Sequence, residues 1–295
     1  MDLVSINDLS DSQLDWLMDA GNAYFERNRV GADVDPKLKG MAVITAFFEA
    51  STRTLMSFEV AARRLGAEVT RLPVERSSIA KGESLKDTVW TLQAMKPSAF
   101  VIRHSDEGAV ADVAKWMDCA VVNAGDGAGQ HPTQGLLDVA TIRHKFGHID
   151  GLKVAICGDI RHSRVANSTA SLLKRMGAEV RLAGPAALMP EGHDGPDGID
   201  EAVSGADVVM MLRVQRERMA ADLGDAPGEY LARYGLTEER LALAAPRAVV
   251  MHPGPMNRGV EIADAVADGP RSLIRRQVEM GVAMRMAVLQ LVTGA

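Results

Sequence analysis

The chain of 295 residues is 47% hydrophobic and 24% charged, which is typical of a globular protein long enough for roughly two domains. Its net charge of −6, from 33 basic and 39 acidic residues without a basic run, disfavours nucleic acid as a partner. No apolar run approaches the ~18 residues of a membrane span. Cys119 and Cys157 lack a CxxC spacing, so we expect two buried thiols and no disulfide framework.

The N-terminal segment is acidic and has no basic n-region or cleavage site, so we expect no signal peptide. Ser10, followed by Leu14, Leu17 and Met18, predicts a capped amphipathic helix instead. These features favour a cytoplasmic protein without a membrane partner.

Apolar, β-branched runs alternate with helical patterns along almost the whole chain. This alternation is typical of right-handed βαβ units and predicts an α/β fold with parallel sheets. The glycine- and proline-rich stretches 184–200 and 222–229 are predicted loops, and a long apolar helix is predicted at 272–293. Strands are predicted at 43–48, 68–72, 100–103, 120–124, 154–158, 180–183, 207–212 and 248–252, and helices at about 53–65, 84–95, 108–117, 133–146, 164–176, 199–204 and 237–244.

The first chemical motif lies where the predicted strand 43–48 passes into a helix. Ser51, Thr52, Arg53 and Thr54 occupy that helix start, where backbone N–H groups are unpaired and the helix dipole is positive. Three hydroxyls and a guanidinium at such a position predict a pocket for a small phosphorylated anion. The alternative is that Ser51 or Thr52 only caps the helix and that Arg53 is a solvated charge.

Residues 47–54, with the sequence FFEASTRT, resemble the carbamoyl-phosphate signature of the aspartate and ornithine carbamoyltransferases. Further motifs of that family follow in the expected order, so the resemblance covers nearly the whole chain. It implies two doubly wound parallel-sheet domains joined by a helix, with 1–133 binding carbamoyl phosphate and 134–271 binding aspartate. It also implies that the C-terminal helix, 272–295, packs back onto the first domain, and that no metal or cofactor is needed.

Two strand-end motifs of the first domain acquire roles through this resemblance. His131, in HPTQ, would lie over the carbonyl oxygen of carbamoyl phosphate, where a neutral imidazole can donate as that oxygen gains charge. Gln134 would hold the carbamoyl NH₂. Arg103, which alone is typical of a surface arginine, is assigned to the phosphate and carbonyl oxygens, because its planar fork can contact two oxygens at once.

The polar loop 76–84, RSSIAKGES, contains Ser77 and Lys81. Taken alone, Lys81 is a solvated loop lysine. The loop resembles the family segment that reaches into the active site of a neighbouring subunit, which implies a homotrimer with shared active sites. The resemblance thereby assigns Lys81 to both substrates.

Arginines follow two strands of the second domain. By resemblance, Arg164 and Arg213 bind the carboxylates of aspartate, and Gln215 assists. Gly254 and Pro255 lie in a final motif, HPGPMNRGVEI, whose turn would present backbone carbonyls to the attacking amine. The ornithine branch carries His-Cys-Leu-Pro there, and arginines would repel the cationic end of ornithine, so an anionic acceptor is favoured.

These implications predict transfer of the carbamoyl group from carbamoyl phosphate to the amine of L-aspartate, giving N-carbamoyl-L-aspartate and phosphate, a step of pyrimidine synthesis. The predicted catalytic residues are Arg53, Thr54, Lys81, Arg103 and His131. The predicted carbamoyl-phosphate ligands are Ser51, Thr52, Arg53, Thr54, Ser77, Lys81, Arg103, His131, Gln134, Gly254 and Pro255.

Two alternatives stay open at this point. Leu55 stands where the family usually has a basic or small polar residue, which leaves room for a catalytically weak homologue retained as a structural partner. A nicotinamide-dependent dehydrogenase fits the fold class, although the chain lacks GxGxxG. A regulatory chain or a dihydroorotase is a further possible partner.

Overall fold

The computed structural model describes residues 1–31, 35–193, 195–196, 198–214 and 228–295. The chain divides into two compact units, Met1–Ala140 with Val278–Ala295, and Thr141–Gln277. In the described residues each unit contains one four-stranded parallel sheet with helices between its strands. The predicted α/β class, with two parallel sheets joined by a helix and a C-terminal helix that returns to the first unit, is therefore confirmed.

The first unit contains the strands β1 to β4 in the order β2-β1-β3-β4. β1 aligns with β3 so that Phe47 lies beside Arg103, which brings the carboxyl ends of these strands together. The strands are β1 Ala42–Phe47, β2 Glu68–Leu72, β3 Ala99–His104 and β4 Ala120–Asp126. The helices are α1 Asp11–Arg29, α2 Thr52–Arg64, α3 Leu85–Gln93 and α4 Ala109–Trp116, together with parts of α5 Pro132–Phe146 and α11 Ile274–Thr293.

The second unit repeats this arrangement with the strand order β6-β5-β7-β8. Its sheet places β7 between β5 and β8, so the loops after these three strands leave the same edge. The strands are β5 Lys153–Cys157, β6 Glu179–Ala183, β7 Val208–Met211 and β8 Val249–Met251. The helices are α6 Arg164–Arg175, α7 Ile199–Val203, α8 Glu229–Tyr234, α9 Glu238–Leu241 and α10 Asp264–Ala267.

The structural division falls at 140/141 and 277/278, inside α5 and α11. The sequence predicted boundaries at 133/134 and 271/272. The binding roles assigned to the two domains stay predictions.

Each sheet has a core on its helix-covered faces. In the first unit, Phe100, Ile102 and Val121 are fully buried and pack with residues of α3 and α4. In the second, Cys157 is fully buried among small and branched side chains, as the sequence predicted. Cys119 differs from the prediction: it is only partly buried, because it lies in the bend before the edge strand β4.

The predicted N-terminal helix is confirmed as α1. The Ser10 hydroxyl accepts a hydrogen bond from Gln13 N–H, and the Gln13 side chain accepts one from Ser10 N–H, a reciprocal cap. Leu14, Leu17 and Met18 are buried. None of the helices in the described residues is long and apolar enough to cross a membrane.

One predicted loop contains more structure than expected, and the other lies mostly outside the described residues. The stretch 184–200 includes a single 3₁₀ turn, Ala186–Leu188, and the start of α7. The stretch 222–229 lies mostly outside the described residues and ends at the first residue of α8. The short helices α8 and α10 were not predicted, whereas the equally short α7 and α9 lie within predicted helices.

Candidate active site

The start of α2 lies close after the end of β1 and carries the hydroxyl groups of Ser51, Thr52 and Thr54. Ser51 is the N-cap residue with an extended backbone (φ −158°, ψ 94°), and within the described residues its side chain makes no capping hydrogen bond. Ser51 therefore occupies the N-cap position without the usual side-chain cap, and its role in ligand binding stays a prediction. Its hydroxyl and the first N–H groups of α2 can together face a bound anion.

Arg53 and Thr54 differ in exposure. Arg53 is exposed as a residue, yet partial burial of its guanidinium lowers its pKa from the ordinary value. Thr54 is buried, and its carbonyl and that of Arg53 accept hydrogen bonds from the Ser57 hydroxyl at 2.9 Å and 2.6 Å. Ser57 thus stabilises the first turn of α2, a role that was not predicted from the sequence.

Arg103 is buried at the end of β3, so the interpretation as a surface arginine is wrong. Its Nη2 donates to Glu49 Oε1 at 2.9 Å and its Nη1 donates to the Ala124 carbonyl at 3.2 Å. These contacts fix the guanidinium between the ends of β1 and β4. The structure thereby brings Arg103 and the start of α2 to one edge of the first sheet.

The HPTQ motif follows β4 and opens α5. His131 and Gln134 are both buried, and the Gln134 amide donates to Asp138 Oδ1 at 2.9 Å. Asp138 is fully buried one turn further along α5. Because β4 lies beside β3, His131 belongs to the same edge of the first sheet as Arg103.

Arg285, on the C-terminal helix α11, is a buried cation of the first unit that the sequence analysis missed. Its guanidinium carbon lies 5.0 Å from the centre of the Phe58 ring on α2, and its Nη1 donates to the Gly281 carbonyl at 3.1 Å. Burial is the main cause that lowers the pKa of Arg285 to about 9; Asp138 acts against this and Arg103 adds to it. The available signal was a single charge inside the apolar run 280–289.

The loop with Ser77 and Lys81 is built from two 3₁₀ turns, Val74–Arg76 and Ser78–Lys81. The Ser77 hydroxyl donates to the Val74 carbonyl at 2.7 Å, which stabilises the first turn. Lys81 is exposed, and in the part of the chain that the structure describes it makes no ion pair. Within the described residues, Lys81 thus has no charged partner in its own chain.

The second unit places its two predicted arginines after neighbouring strands. Arg164 opens α6, whose N-cap Ser163 accepts a hydrogen bond from Ala166 N–H at 3.1 Å. Arg213 is exposed two residues after β7, and Val214 beside it is buried. Gln215 lies outside the described residues.

The turn with Gly254 and Pro255 follows β8, the neighbour of β7. The Gly254 N–H donates to Nδ1 of the buried His252 at 2.8 Å, which holds the turn against the strand end. No group of three or more metal-ligating side chains was found among the residues described.

Two family models match consecutive parts of the chain. Residues 1–144 match the model described as aspartate/ornithine carbamoyltransferase, carbamoyl-P binding domain, and residues 150–292 match the Asp/Orn binding domain of the same family. The chain belongs to the aspartate/ornithine carbamoyltransferase family. The predicted family is confirmed, and the dehydrogenase alternative is dropped.

Similar carbamoyltransferases come from several bacteria. The chain is 54% identical to the aspartate carbamoyltransferase catalytic subunit of Hyphomonas neptunium, with 99% of this chain and 95% of that protein covered. It is also 54% identical to the corresponding subunit of Beijerinckia indica, with 98% and 92% covered.

Solved structures of the same family share the fold. An aspartate transcarbamoylase from Trypanosoma cruzi, in complex with carbamoyl phosphate and aspartate, matches with a TM-score of 0.86 and 32% identity over 99% of this chain and 96% of that one. The catalytic subunit of the M. jannaschii enzyme matches with a TM-score of 0.83 and 30% identity over 99% and 97%.

Proposed function

We propose that this chain is an aspartate carbamoyltransferase. It transfers the carbamoyl group of carbamoyl phosphate to the amine of L-aspartate, giving N-carbamoyl-L-aspartate and phosphate in de novo pyrimidine synthesis. The observation that carries the proposal is that the start of α2, where Ser51 makes no capping hydrogen bond within the described residues, and the buried fork of Arg103 lie at the same edge of the first sheet. Relatives at 54% identity with this activity in their names support it.

The first unit would bind carbamoyl phosphate. Ser51, Thr52 and Thr54 would donate hydroxyl hydrogen bonds to the phosphate, together with the N–H groups of the first turn of α2. Arg53 and Arg103 would neutralise its charge, and Arg103 can donate to a phosphate oxygen and the carbonyl oxygen at once.

The reaction needs orientation and charge stabilisation rather than a covalent intermediate. The aspartate amine attacks the carbonyl carbon, the carbonyl oxygen gains negative charge, and the C–O bond to phosphate then breaks. Phosphate leaves with the bonding electrons and can accept the amine proton. Orientation of two bound reactants supplies roughly 7–11 kcal/mol of the barrier reduction. His131, with Arg103 and Thr54, would donate to the oxyanion, and each such donor is worth about 3–4 kcal/mol.

The second unit would bind aspartate. Arg164 and Arg213 would hold its two carboxylates, and Gln215 and Lys81 would assist. Gly254 and Pro255 would contribute backbone carbonyls beside the carbamoyl group. This set of arginines favours aspartate over ornithine, because the second amine of ornithine would lie against a guanidinium.

The decisive experiment is an acceptor assay. The purified protein is incubated with carbamoyl phosphate and either L-aspartate or L-ornithine, and the ureido product is measured. We expect product with aspartate only. Product with ornithine alone would overturn the specificity, and no product with either acceptor would favour the catalytically weak homologue that Leu55 left open.

We also propose a homotrimer in which Lys81 completes the site of a neighbouring copy. The exposed Lys81, which has no ion pair within the described residues, supports this arrangement. Light scattering should give about three times the 31.6 kDa of one chain. Inactive Lys81→Ala and His131→Ala proteins, dissociated and mixed, should recover activity, whereas either one alone should not. A cytoplasmic location and a regulatory or dihydroorotase partner stay predictions.

A further inference from the structure

A chain of hydrogen bonds in the second unit connects the turn after β8 to the loop after β7. Oε1 of Glu261 accepts from His252 Nε2 at 3.2 Å and also from the backbone N–H of Asn257. The side-chain amide of Asn257 donates in turn to the Val214 carbonyl at 2.9 Å. Val214 directly follows Arg213, so these hydrogen bonds end at the backbone next to the proposed carboxylate-binding arginine.

The state of His252 follows from its partners. Its Nδ1 accepts the Gly254 N–H, so the ring proton lies on Nε2 and points at Glu261. The backbone N–H of His252 donates to Gln277 Oε1 at 2.9 Å, which fixes the strand end as well. All donors and acceptors of the imidazole ring are therefore used within the protein.

Burial separates these residues from any substrate. His252 is 1% exposed and Glu261 is 0% exposed, so neither can touch a bound metabolite. Their effect on a reaction must pass through the backbone that they hold. They hold two backbone segments: the turn that carries Gly254 and Pro255, and the segment after β7 that carries Arg213.

We propose that Asn257 and Glu261 are positioning residues of the aspartate site, which fix the loop of Arg213 relative to the turn of Gly254 and Pro255. The inference rests on the proposed function and names residues to which that function assigned no role. A dicarboxylate is bound tightly only if its arginines are held at fixed positions. Asn257 supplies that constraint through one hydrogen bond, and Glu261 orients Asn257 by holding its backbone N–H.

The test compares Asn257→Ala with Arg258→Ala in steady-state kinetics. Arg258 is the matched control, because it lies in the same turn but is exposed, and within the described residues its guanidinium pairs with Asp264 and Asp268. Asn257→Ala should raise the KM for aspartate roughly threefold to tenfold, the range of one lost neutral hydrogen bond. Its KM for carbamoyl phosphate and its kcat should stay within about twofold of wild type. Arg258→Ala should change none of the three.

Substitutions of Glu261 separate positioning from simple stability. Glu261→Gln keeps an oxygen that can accept from both His252 and Asn257, so its aspartate KM should stay near the wild-type value. Glu261→Ala removes that acceptor and should raise the aspartate KM at least as much as Asn257→Ala. Thermal unfolding midpoints establish that each protein is folded at the assay temperature, and a smaller folded fraction lowers kcat rather than raising one KM.

Three results overturn the inference. The first is an unchanged aspartate KM in Asn257→Ala, and the second is an equal rise in the Arg258→Ala control. The third is a Glu261→Gln protein as impaired as Glu261→Ala, which would show that the charge of Glu261 matters rather than its hydrogen bonds. Wild-type protein that forms no ureido product would contradict the proposed function as well, whereas active wild type with any of these results contradicts the inference alone.

Discussion

Nη2 of Arg103 lies 2.9 Å from Oε1 of Glu49, and this ion pair joins the ends of the neighbouring strands β3 and β1. The Arg103 side chain is only 9% exposed, whereas that of Glu49 is 37% exposed. Glu49 therefore holds a nearly buried guanidinium beside the start of α2 while a second guanidinium nitrogen is fixed by the Ala124 carbonyl. The orientation of the fork is set before a ligand arrives.

Arg103→Lys keeps the charge but loses the planar fork. An ammonium cannot span the Glu49 carboxylate, the Ala124 carbonyl and a phosphate oxygen at once. We expect kcat/KM for carbamoyl phosphate to fall roughly 10- to 100-fold, the value of one or two charge-assisted hydrogen bonds. Steady-state kinetics at saturating aspartate measures this change.

Arg71→Lys is the control for this substitution. Arg71 also forms a forked pair, with Glu59 at 2.6 Å and 2.7 Å, but it lies on β2 and has no proposed ligand role. The kcat/KM of Arg71→Lys for carbamoyl phosphate should stay near the wild-type value. An equal loss in both variants would mean that general stability, and not the fork of Arg103, supports turnover.

Ser51→Ala should separate helix capping from ligand binding. The Ser51 side chain makes no capping hydrogen bond within the described residues, so its loss should change the free energy of unfolding by less than about 0.5 kcal/mol. Ser84 does cap α3, because its hydroxyl accepts from Asp87 N–H at 3.1 Å, and Ser84→Ala should cost about 1 kcal/mol.

Urea denaturation without ligand and kinetics with carbamoyl phosphate test this pair of serines. We expect Ser51→Ala to raise the KM for carbamoyl phosphate and Ser84→Ala to leave it unchanged. A Ser51→Ala protein destabilised as much as Ser84→Ala, with normal kinetics, would return Ser51 to the role of an ordinary cap.

His131→Ala should reduce kcat by roughly 100- to 1,000-fold, the cost of removing one donor from an oxyanion site. The KM for aspartate should change little, since His131 is assigned to the carbonyl oxygen of the other substrate. His148→Ala is the control, because His148 is exposed and its Nδ1 lies 3.0 Å from the Asp150 carbonyl, away from the proposed site residues. Undiminished turnover in His131→Ala would contradict the role of His131.

The central strands were predictable because parallel strands are buried on both faces and appear as continuous apolar runs. The edge strands β2 and β6 are more exposed and were recognised from their β-branched residues and their place between helical patterns. All eight predicted strands occur in the described residues within one or two residues of their expected ends. The start of α2 and the strand-end position of Arg103 followed from the same pattern. The sequence could also place Arg213 after a strand without structural help.

The supporting residues of the site could not be predicted in this way. Glu261 contacts His252 across nine residues, and Asp138 and Arg285 approach each other from helices far apart in the chain. Such contacts depend on how helices and strands pack together, and no local pattern in a single sequence reveals that packing. An isolated buried charge in an apolar helix, as at Arg285, is the one local signal that was present.

The two thiols should react with iodoacetamide at very different rates. Burial raises the pKa of Cys119 to about 11 and that of Cys157 to about 12, so little thiolate forms at pH 8. Cys119 is partly accessible and should be alkylated slowly, whereas the fully buried Cys157 should react only after unfolding in urea. Mass spectrometry of the native protein should find label at Cys119 alone; rapid label at Cys157 would contradict its burial.

Cys157 should also contribute to the pH dependence of stability. Its pKa rises from the ordinary 9.0 in the unfolded chain to about 12 in the folded one. Above pH 9 the unfolded chain loses this proton while the folded protein keeps it, so the free energy of unfolding falls as the pH rises from 9 towards 12. At pH 10 this amounts to about 1 kcal/mol. Between pH 8 and 10, the free energy of unfolding measured by urea denaturation should therefore fall less for Cys157→Ala than for wild type. An equal fall in both proteins would contradict the raised pKa of Cys157.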